Sequence, residues 1–276
     1  MRTGKLRGIG RVGGLAGVLV GGGIASARAQ ARPFLYTLVP AQSQARGASV
    51  YADLAYGHTV FAGLGPEAFE QRVGVQLRLS ARLTLAAQAG WAPNDPSTPS
   101  AASAQAEAVA SLVPAGSPLV LAIGVGGEED YRRTPVALGR AVAGYRWART
   151  LAVANVRFEH AFPQSTDGVP DHRDALDVIS TLGVMHELGP GVRAGFESVA
   201  EDLEGFFETD EAEGGAKLMI GPSLGLGPRD ARWTLQITTG PVFHLTTSTV
   251  PAIGSGAPRD LTGTGYVVRT SLGFQW

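Results

Sequence analysis

The sequence predicts an all-β fold, a transmembrane antiparallel up-and-down β-barrel of about twelve strands. Three observations lead to it. Apolar residues alternate with polar or small ones in repeated segments of roughly ten residues, the period of a strand. The connections between these segments sort by parity into short and long. Hydrophobic residues make up 44 % of the chain, yet after residue 25 no apolar run approaches the roughly 18 residues that a spanning helix needs.

Composition narrows the function classes. Across 276 residues there are 38 Gly and no Cys, and the mean hydropathy is only +0.07. Without cysteine there is no disulfide framework, thiolate metal site or thiol nucleophile. The formal charge of -1 is biased by Arg2, Lys5, Arg7, Arg11 and Arg28 near the start of the chain. Beyond residue 29, 18 basic residues face 24 acidic ones, a net of about -6. An acidic chain of this kind argues against nucleic acid as a partner.

The first segment, 1–31, reads as an export signal. A basic stretch from Arg2 to Arg11 precedes an apolar one from Val12 to Ala25 that is short and rich in Gly. Small-residue cleavage sites follow at Ala27-Arg28-Ala29 and Ala29-Gln30-Ala31. Residues 32–47, which include Pro33, Pro40 and several Gln, are expected to form a periplasmic extension or a plug in the lumen. The barrel is expected to occupy 48–276.

The strands follow in order. In Ser49–Gly57, Val50, Ala52, Leu54 and Tyr56 share one face and Tyr51, Asp53 and Ala55 the other. Next, Phe69, Val73, Val75, Leu77 and Leu79 oppose Glu70, Arg72, Gln76 and Arg78. Leu83, Leu85, Ala87, Ala89 and Trp91 then oppose Thr84, Gln88 and Gly90. The pattern recurs in Ser103–Val113, Leu119–Gly126 and Thr150–Phe162, and again in Leu176–Glu187, Val192–Glu201, Ala216–Gly225, Arg232–Leu245 and Thr264–Trp276. Val136–Trp147 is the weakest match; the register that turns Arg140 and Arg146 inward leaves Ala137, Ala141, Ala143, Tyr145 and Trp147 outside.

Every second connection is short: Ser80-Ala81-Arg82, Pro114–Pro118, Ala148-Arg149, Leu188–Gly191 and Leu226–Ala231. The others are mostly long and polar: Pro93–Ala102, Gly127–Pro135, Pro163–Arg173, Asp202–Gly215 and Thr246–Gly263. A β-sandwich or a lipocalin-like barrel has no reason to sort its loops this way. A barrel with short periplasmic turns and long extracellular loops does.

The chain ends on an aromatic residue preceded by apolar residues at alternate positions: Tyr266, Val268, Leu272, Phe274 and Trp276, with Thr270 breaking the series. This pattern resembles the C-terminal signal by which bacterial outer-membrane β-barrel proteins engage their assembly machinery, with Trp276 standing where Phe is the commoner ending. The resemblance implies integration into the cell outer membrane, with outer-membrane lipid and the barrel-assembly machinery as partners. Trp147, Trp233 and Trp276 at one set of strand ends, and Trp91 and Phe162 at the other, match the positions of membrane girdles.

The inward set is then Asp53, Glu70, Arg72, Gln76, Arg78, Gln88, Glu107, Asn155, Arg157, Glu159, Asp177, Arg193, Glu197, Lys217, Arg232 and Arg269. Similar numbers of acids and bases predict cross-strand ion pairs and a hydrated interior of weak selectivity; a ring of one sign would instead impose selectivity. Such a barrel suits a narrow channel for small polar solutes. The alternatives are a non-conducting structural or surface-interaction barrel and a lipid-acting outer-membrane hydrolase. His244 and Thr246 stand two apart in the manner of the His-x-Ser of lipid A deacylases, with Thr in place of Ser, but this register turns them inward, away from lipid. His58, His160, His172 and His186 show no metal-ligand spacing. No cofactor is expected. In the loop 201–213, seven acids surround Phe206-Phe207; carboxylates suit Ca²⁺ or Mg²⁺, but the spacing is not that of an EF-hand and a solvated loop accounts for it.

Overall fold

The computed structural model describes residues 32–40, 47–57, 68–92, 101–129, 135–162, 176–201, 216–227, 232–244 and 264–276, with the backbone alone for Ala68, Ala101 and His244. The expected export signal at 1–31, the acidic stretch 202–213, His58, His172 and Thr246 lie outside these residues.

The strands are β1 (Gly47–Gly57), β2 (Ala68–Arg78), β3 (Leu83–Ala92), β4 (Ala101–Ser111), β5 (Leu119–Glu129), β6 (Pro135–Trp147), β7 (Thr150–Ala161), β8 (Asp177–Gly189), β9 (Val192–Glu201), β10 (Lys217–Leu226), β11 (Trp233–His244) and β12 (Thr264–Gln275). Each pairs with its neighbours in the chain, and β12 closes on β1 to complete the barrel. Every pairing is antiparallel. Closure leaves no free sheet edge. At the seam Ala48 and Trp276 exchange backbone hydrogen bonds of 3.2 and 3.1 Å.

Side-chain direction follows the alternation. Leu54, Tyr56, Val73, Leu85, Ile123, Val125, Leu182, Ile220 and Leu272 are exposed on the outer wall. Trp91, Trp147, Trp233, Phe162 and Trp276 are exposed too, near strand ends. In β6 the register is the one that faces Arg140 and Arg146 inward, because Gly124 stands opposite Arg140 and Ala143 opposite Leu121.

The short turns are built from local hydrogen bonds. Ser80 Oγ accepts from the N–H groups of Arg82 and Leu83, at 3.2 and 3.1 Å. In the Ala148-Arg149 turn Ala148 takes a positive φ of 50°, a conformation that tight hairpins require.

Several strand limits differ from expectation, three of them with a clear local reason. β4 stops at Ser111 rather than Val113, because Leu112 N–H donates to Leu121 O at 2.8 Å and begins the turn. β5 runs on to Glu129 rather than ending at Gly126, since Gly127 and Glu128 keep partners on both sides, in β4 and β6. That extension adds Glu128 to the inner face. β11 begins at Trp233, so Arg232 precedes the ladder and is exposed.

The inner face is less polar than expected. Val109, Val120, Ala122, Val142, Leu151, Val153 and Met185 form a buried apolar cluster on the wall from β4 to β8. Val199, Met219, Val242 and Val267 form a second, toward the loop end of β9 to β12. Apolar side chains can face the lumen because residues 32–40 cover them. Phe34 and, at its margin, Leu38 and Val39 join the first cluster; Tyr36 packs on the second.

Candidate functional site

The interior is organised around that segment. Phe34 and Leu35 are buried, and a single side chain of the wall, Glu197 of β9, ties the chain down beside them. Its Oε2 accepts from Leu35 N–H at 3.0 Å, and its Oε1 from Tyr36 and Thr37 N–H at 2.9 and 3.1 Å. Thr238 Oγ1 of β11 donates to the same carboxylate at 2.7 Å and is itself hydrogen-bonded to Ser223 Oγ. Glu197 is wholly buried, where an unpaired carboxylate would be very costly. Three successive backbone N–H groups form a concavity suited to an anion. Hydrogen bonds to a charged group are worth about 1.5–3 kcal/mol each.

Further contacts reinforce the placement. Arg32 pairs with Asp53 at 3.0 Å, donates to Leu35 O and lies over the Tyr51 ring, 4.5 Å from its centroid. Asn155 Nδ2 donates to Leu38 O at 3.1 Å. The guanidinium of Arg269 lies 4.7 Å from the centre of the Tyr36 ring.

The remaining inward residues form paired groups. Glu70 serves two arginines, Arg72 at 2.7 Å and Arg269 at 2.6 Å. Glu107 and Arg140 make a two-pronged pair at 2.7 and 2.9 Å, the geometry in which a guanidinium binds a carboxylate best. Arg157 meets Glu159 and, at 3.9 Å, Glu128. Lys217 pairs with Glu201 at 3.3 Å. Tyr51 Oη donates to Gln88 Oε1, and Gln88 Nε2 to Gln105 Oε1.

Of the other residues singled out in the sequence, Gln76 lines the central cavity and Arg78 is buried near the short-turn end. Asp177 stands opposite Glu159 in the ladder and Arg193 opposite Glu187. Arg232 is exposed just before β11 begins. Tyr266, Val268, Leu272, Phe274 and Trp276 are all exposed on the outer wall. His244 ends β11 opposite Lys217. His186 is on the outer face, hydrogen-bonded to Thr150 at 2.8 Å. Sequence reasoning did not find Glu197's role as an anchor, Glu128, Glu201, or the part played by Phe34 and Tyr36. Phe34–Val39, an apolar run bracketed by Pro33 and Pro40, was the available signal for the last of these.

A cavity of about 130 Å³ remains between segment and wall. Arg32, Arg72, Arg140, Arg157 and Arg269 line it, with Glu201 the one acid among the described residues of its lining. The interior thus matches acids with bases in number, each of these arginines being paired with a carboxylate.

No family model and no curated protein matches this sequence. Solved structures do match. NanC porin aligns with a TM-score of 0.55 at 10% identity, over 81% of this chain and 98% of its own. KdgM porin, in complex with disordered oligogalacturonate, aligns at 0.50 and 11%, over 82% of this chain and 98% of its own. What they share with this chain is the barrel. At such identity the likeness establishes the fold and leaves the contents of the lumen to be read from the residues above.

Proposed function

We propose that this protein is an outer-membrane channel for small polar solutes, closed at rest by its own residues 32–40. The observation that carries this reading is the hold of Glu197 on three consecutive backbone N–H groups inside the barrel. A wall carboxylate that takes three of its hydrogen bonds from a chain segment and one from Thr238 of β11 serves the segment's position, since β9 is laddered to both its neighbours without it. The likeness to two porins supports a channel, and the outward apolar wall with exposed terminal aromatics supports a membrane setting. In that setting the turn end faces the periplasm, and the segment enters from there, since the chain continues from it into the start of β1. The expected leader at 1–31 and its cleavage belong to the same reading.

One observation favours the second reading, a permanently closed barrel: Phe34 is packed into an apolar cluster rather than exposed to water. Planar-bilayer recordings separate the two. Under the channel reading the native protein is mostly quiet with brief openings, and both Glu197→Ala and deletion of 32–40 give sustained conductance. A deletion variant that folds and remains silent would establish the closed barrel; a native protein that conducts freely would contradict closure by the segment.

A further inference from the structure

We propose that the junction between β10 and β11 is a lateral opening in the barrel wall, through which the hydrocarbon chain of a membrane lipid enters when the segment 32–40 leaves. The inference rests on the closure proposed above and gives the open state a ligand taken from the membrane rather than from water.

The backbone marks the place. Lys217 to Met219 pair with Val242 to His244, and Ser223 to Leu226 pair with Leu235 to Thr238, in one unchanged register. Between these stretches Ile220, Gly221 and Pro222 lack ladder partners across the junction, and so do Thr239, Gly240 and Pro241. Apart from a bulge of β8 beside its turn, no other ladder is interrupted among the described residues. The prolines account for the gap. Proline has no N–H to give a ladder, and in sheets it is confined to edges and bulges. β10 stays paired with β9 through Pro222, and β11 with β12 through Pro241, so both missing donors fall on the β10–β11 side. The glycines leave the inside of the gap bare: a Cβ on Gly221 would strike Thr239 O, and one on Gly240 would strike Ile220 O. On the outer wall exposed Phe243 lies to the loop side of the gap and Trp233 to the turn side, which puts it within the apolar band. Backbone polar groups in hydrocarbon have no water to turn to. Two prolines at one junction therefore weaken the wall where lipid touches it.

The inner face shows what the opening leads to. Gly221 is the register partner of Glu197, whose carboxylate passes β10 to accept from Thr238 Oγ1 of β11; Ser223 Oγ of β10 completes the clasp. Side chains thus hold the junction beside its missing backbone bonds, through the same carboxylate that holds the segment. On the loop side of this clasp Met219 and Val242 form a buried patch with Val199 and Val267, and Tyr36 of the segment packs on it. The patch offers a polar solute nothing. Once Tyr36 withdraws it faces water, an unfavourable exposure that a hydrocarbon chain relieves. The chain itself loses nothing by the move, since lipid tails and aliphatic side chains are equally apolar.

Photo-cross-linking tests the route. The full chain is reconstituted in phosphatidylcholine vesicles containing a phosphatidylcholine with a diazirine on one acyl chain, irradiated, and mapped by mass spectrometry. In the native protein, cross-links are expected on outward residues such as Ile220 and Leu224 alone. In Glu197→Ala, or in the milder Glu197→Gln should the first not fold, they should appear also at inward Met219 and Val242. Adding Pro222→Val and Pro241→Val, which return two N–H donors to the ladder, should abolish the inward cross-links and keep the outward ones. A disulfide formed from Leu218→Cys and Phe243→Cys, register partners beside the gap, should abolish them with both prolines in place, and reductant should restore them; the native chain has no cysteine to interfere. Conductance of the same Glu197 variant reports separately whether the segment has left. A conducting variant without inward cross-links would overturn the lateral opening and leave closure intact. Inward cross-links that persist with the valines and with the disulfide would overturn this junction as the route. A silent variant without inward cross-links would overturn closure, and the opening with it.

Discussion

The ring of Phe34 occupies the space that a side chain at Gly183 would fill. A Cβ built on Gly183 falls 2.6 Å from Phe34 Cδ1 and Cε1, nearer than real Cβ atoms approach a neighbour. The glycine in β8 is thus part of the seat of the N-terminal segment. Gly183→Val should unseat Phe34 while the strand, β-branched at that position, keeps its ladder. Overpacking of this kind costs about 1–3 kcal/mol, and it falls on the docking of the segment. The expected outcome is a folded barrel with raised conductance in bilayers. A Gly183→Val protein as quiet as the native one would show that Phe34 has another place to go.

The Glu107–Arg140 pair offers a test of the interior's electrostatics. Both side chains are nearly excluded from water, at 3% and 8% exposure. Replacing Glu107 by Gln leaves a buried guanidinium without its counter-charge and should destabilise the barrel by about 3–5 kcal/mol. Replacing both, as Glu107→Gln with Arg140→Met, should recover much of the loss. Urea titration of folding in lipid vesicles measures both, and a double variant as unstable as the single one would contradict the pairing.

On β2 the two faces must answer charge in opposite ways. Val75 belongs to the outer face; Gln76 lines the cavity. Val75→Arg near mid-membrane should cost about 2–4 kcal/mol, whereas Gln76→Arg should fold nearly as well as the native chain. A one-residue slip would exchange the faces and put Arg72 and Arg78 against hydrocarbon, so the register is strongly specified. Equal destabilisation by both substitutions, in the same vesicle titration, would refute the assignment of faces.

Trp276 separates assembly from stability. Its backbone closes the seam with Ala48 whatever its side chain, and a lysine at the membrane boundary costs only about 0–1 kcal/mol. Trp276→Lys should therefore refold unaided in vesicles almost normally and yet fail to insert in cells, where the terminal aromatic is expected to be read by the assembly machinery. Insertion in cells at native levels, judged by heat-modifiable gel mobility, would show that the terminal series is not used as a signal.

Strand number, order and facing were legible in the sequence because a closed antiparallel barrel repeats one local rule. Each strand alternates lipid and lumen, each turn joins neighbours, and both periods are visible along the chain without knowledge of what lies across it. Even the weak β6 followed, since only one register kept Arg140 from the outer wall. What faced what across the lumen was not legible. Val109, Val142, Leu151 and Met185 point inward against the simple rule that the lumen is polar, because Phe34 and its neighbours, far away in sequence, cover them. Glu197 read as one more lumen acid; only the folded chain brings it to its partners on the segment, 160 to 162 residues away in sequence. Counting charges likewise predicted a neutral, weakly selective interior. The tertiary structure decides the pairs: Glu107 of β4 reaches past β5 to Arg140 of β6, and Asp53 takes its cation, Arg32, from the segment, because side chains that point into one lumen meet without regard to their distance along the chain.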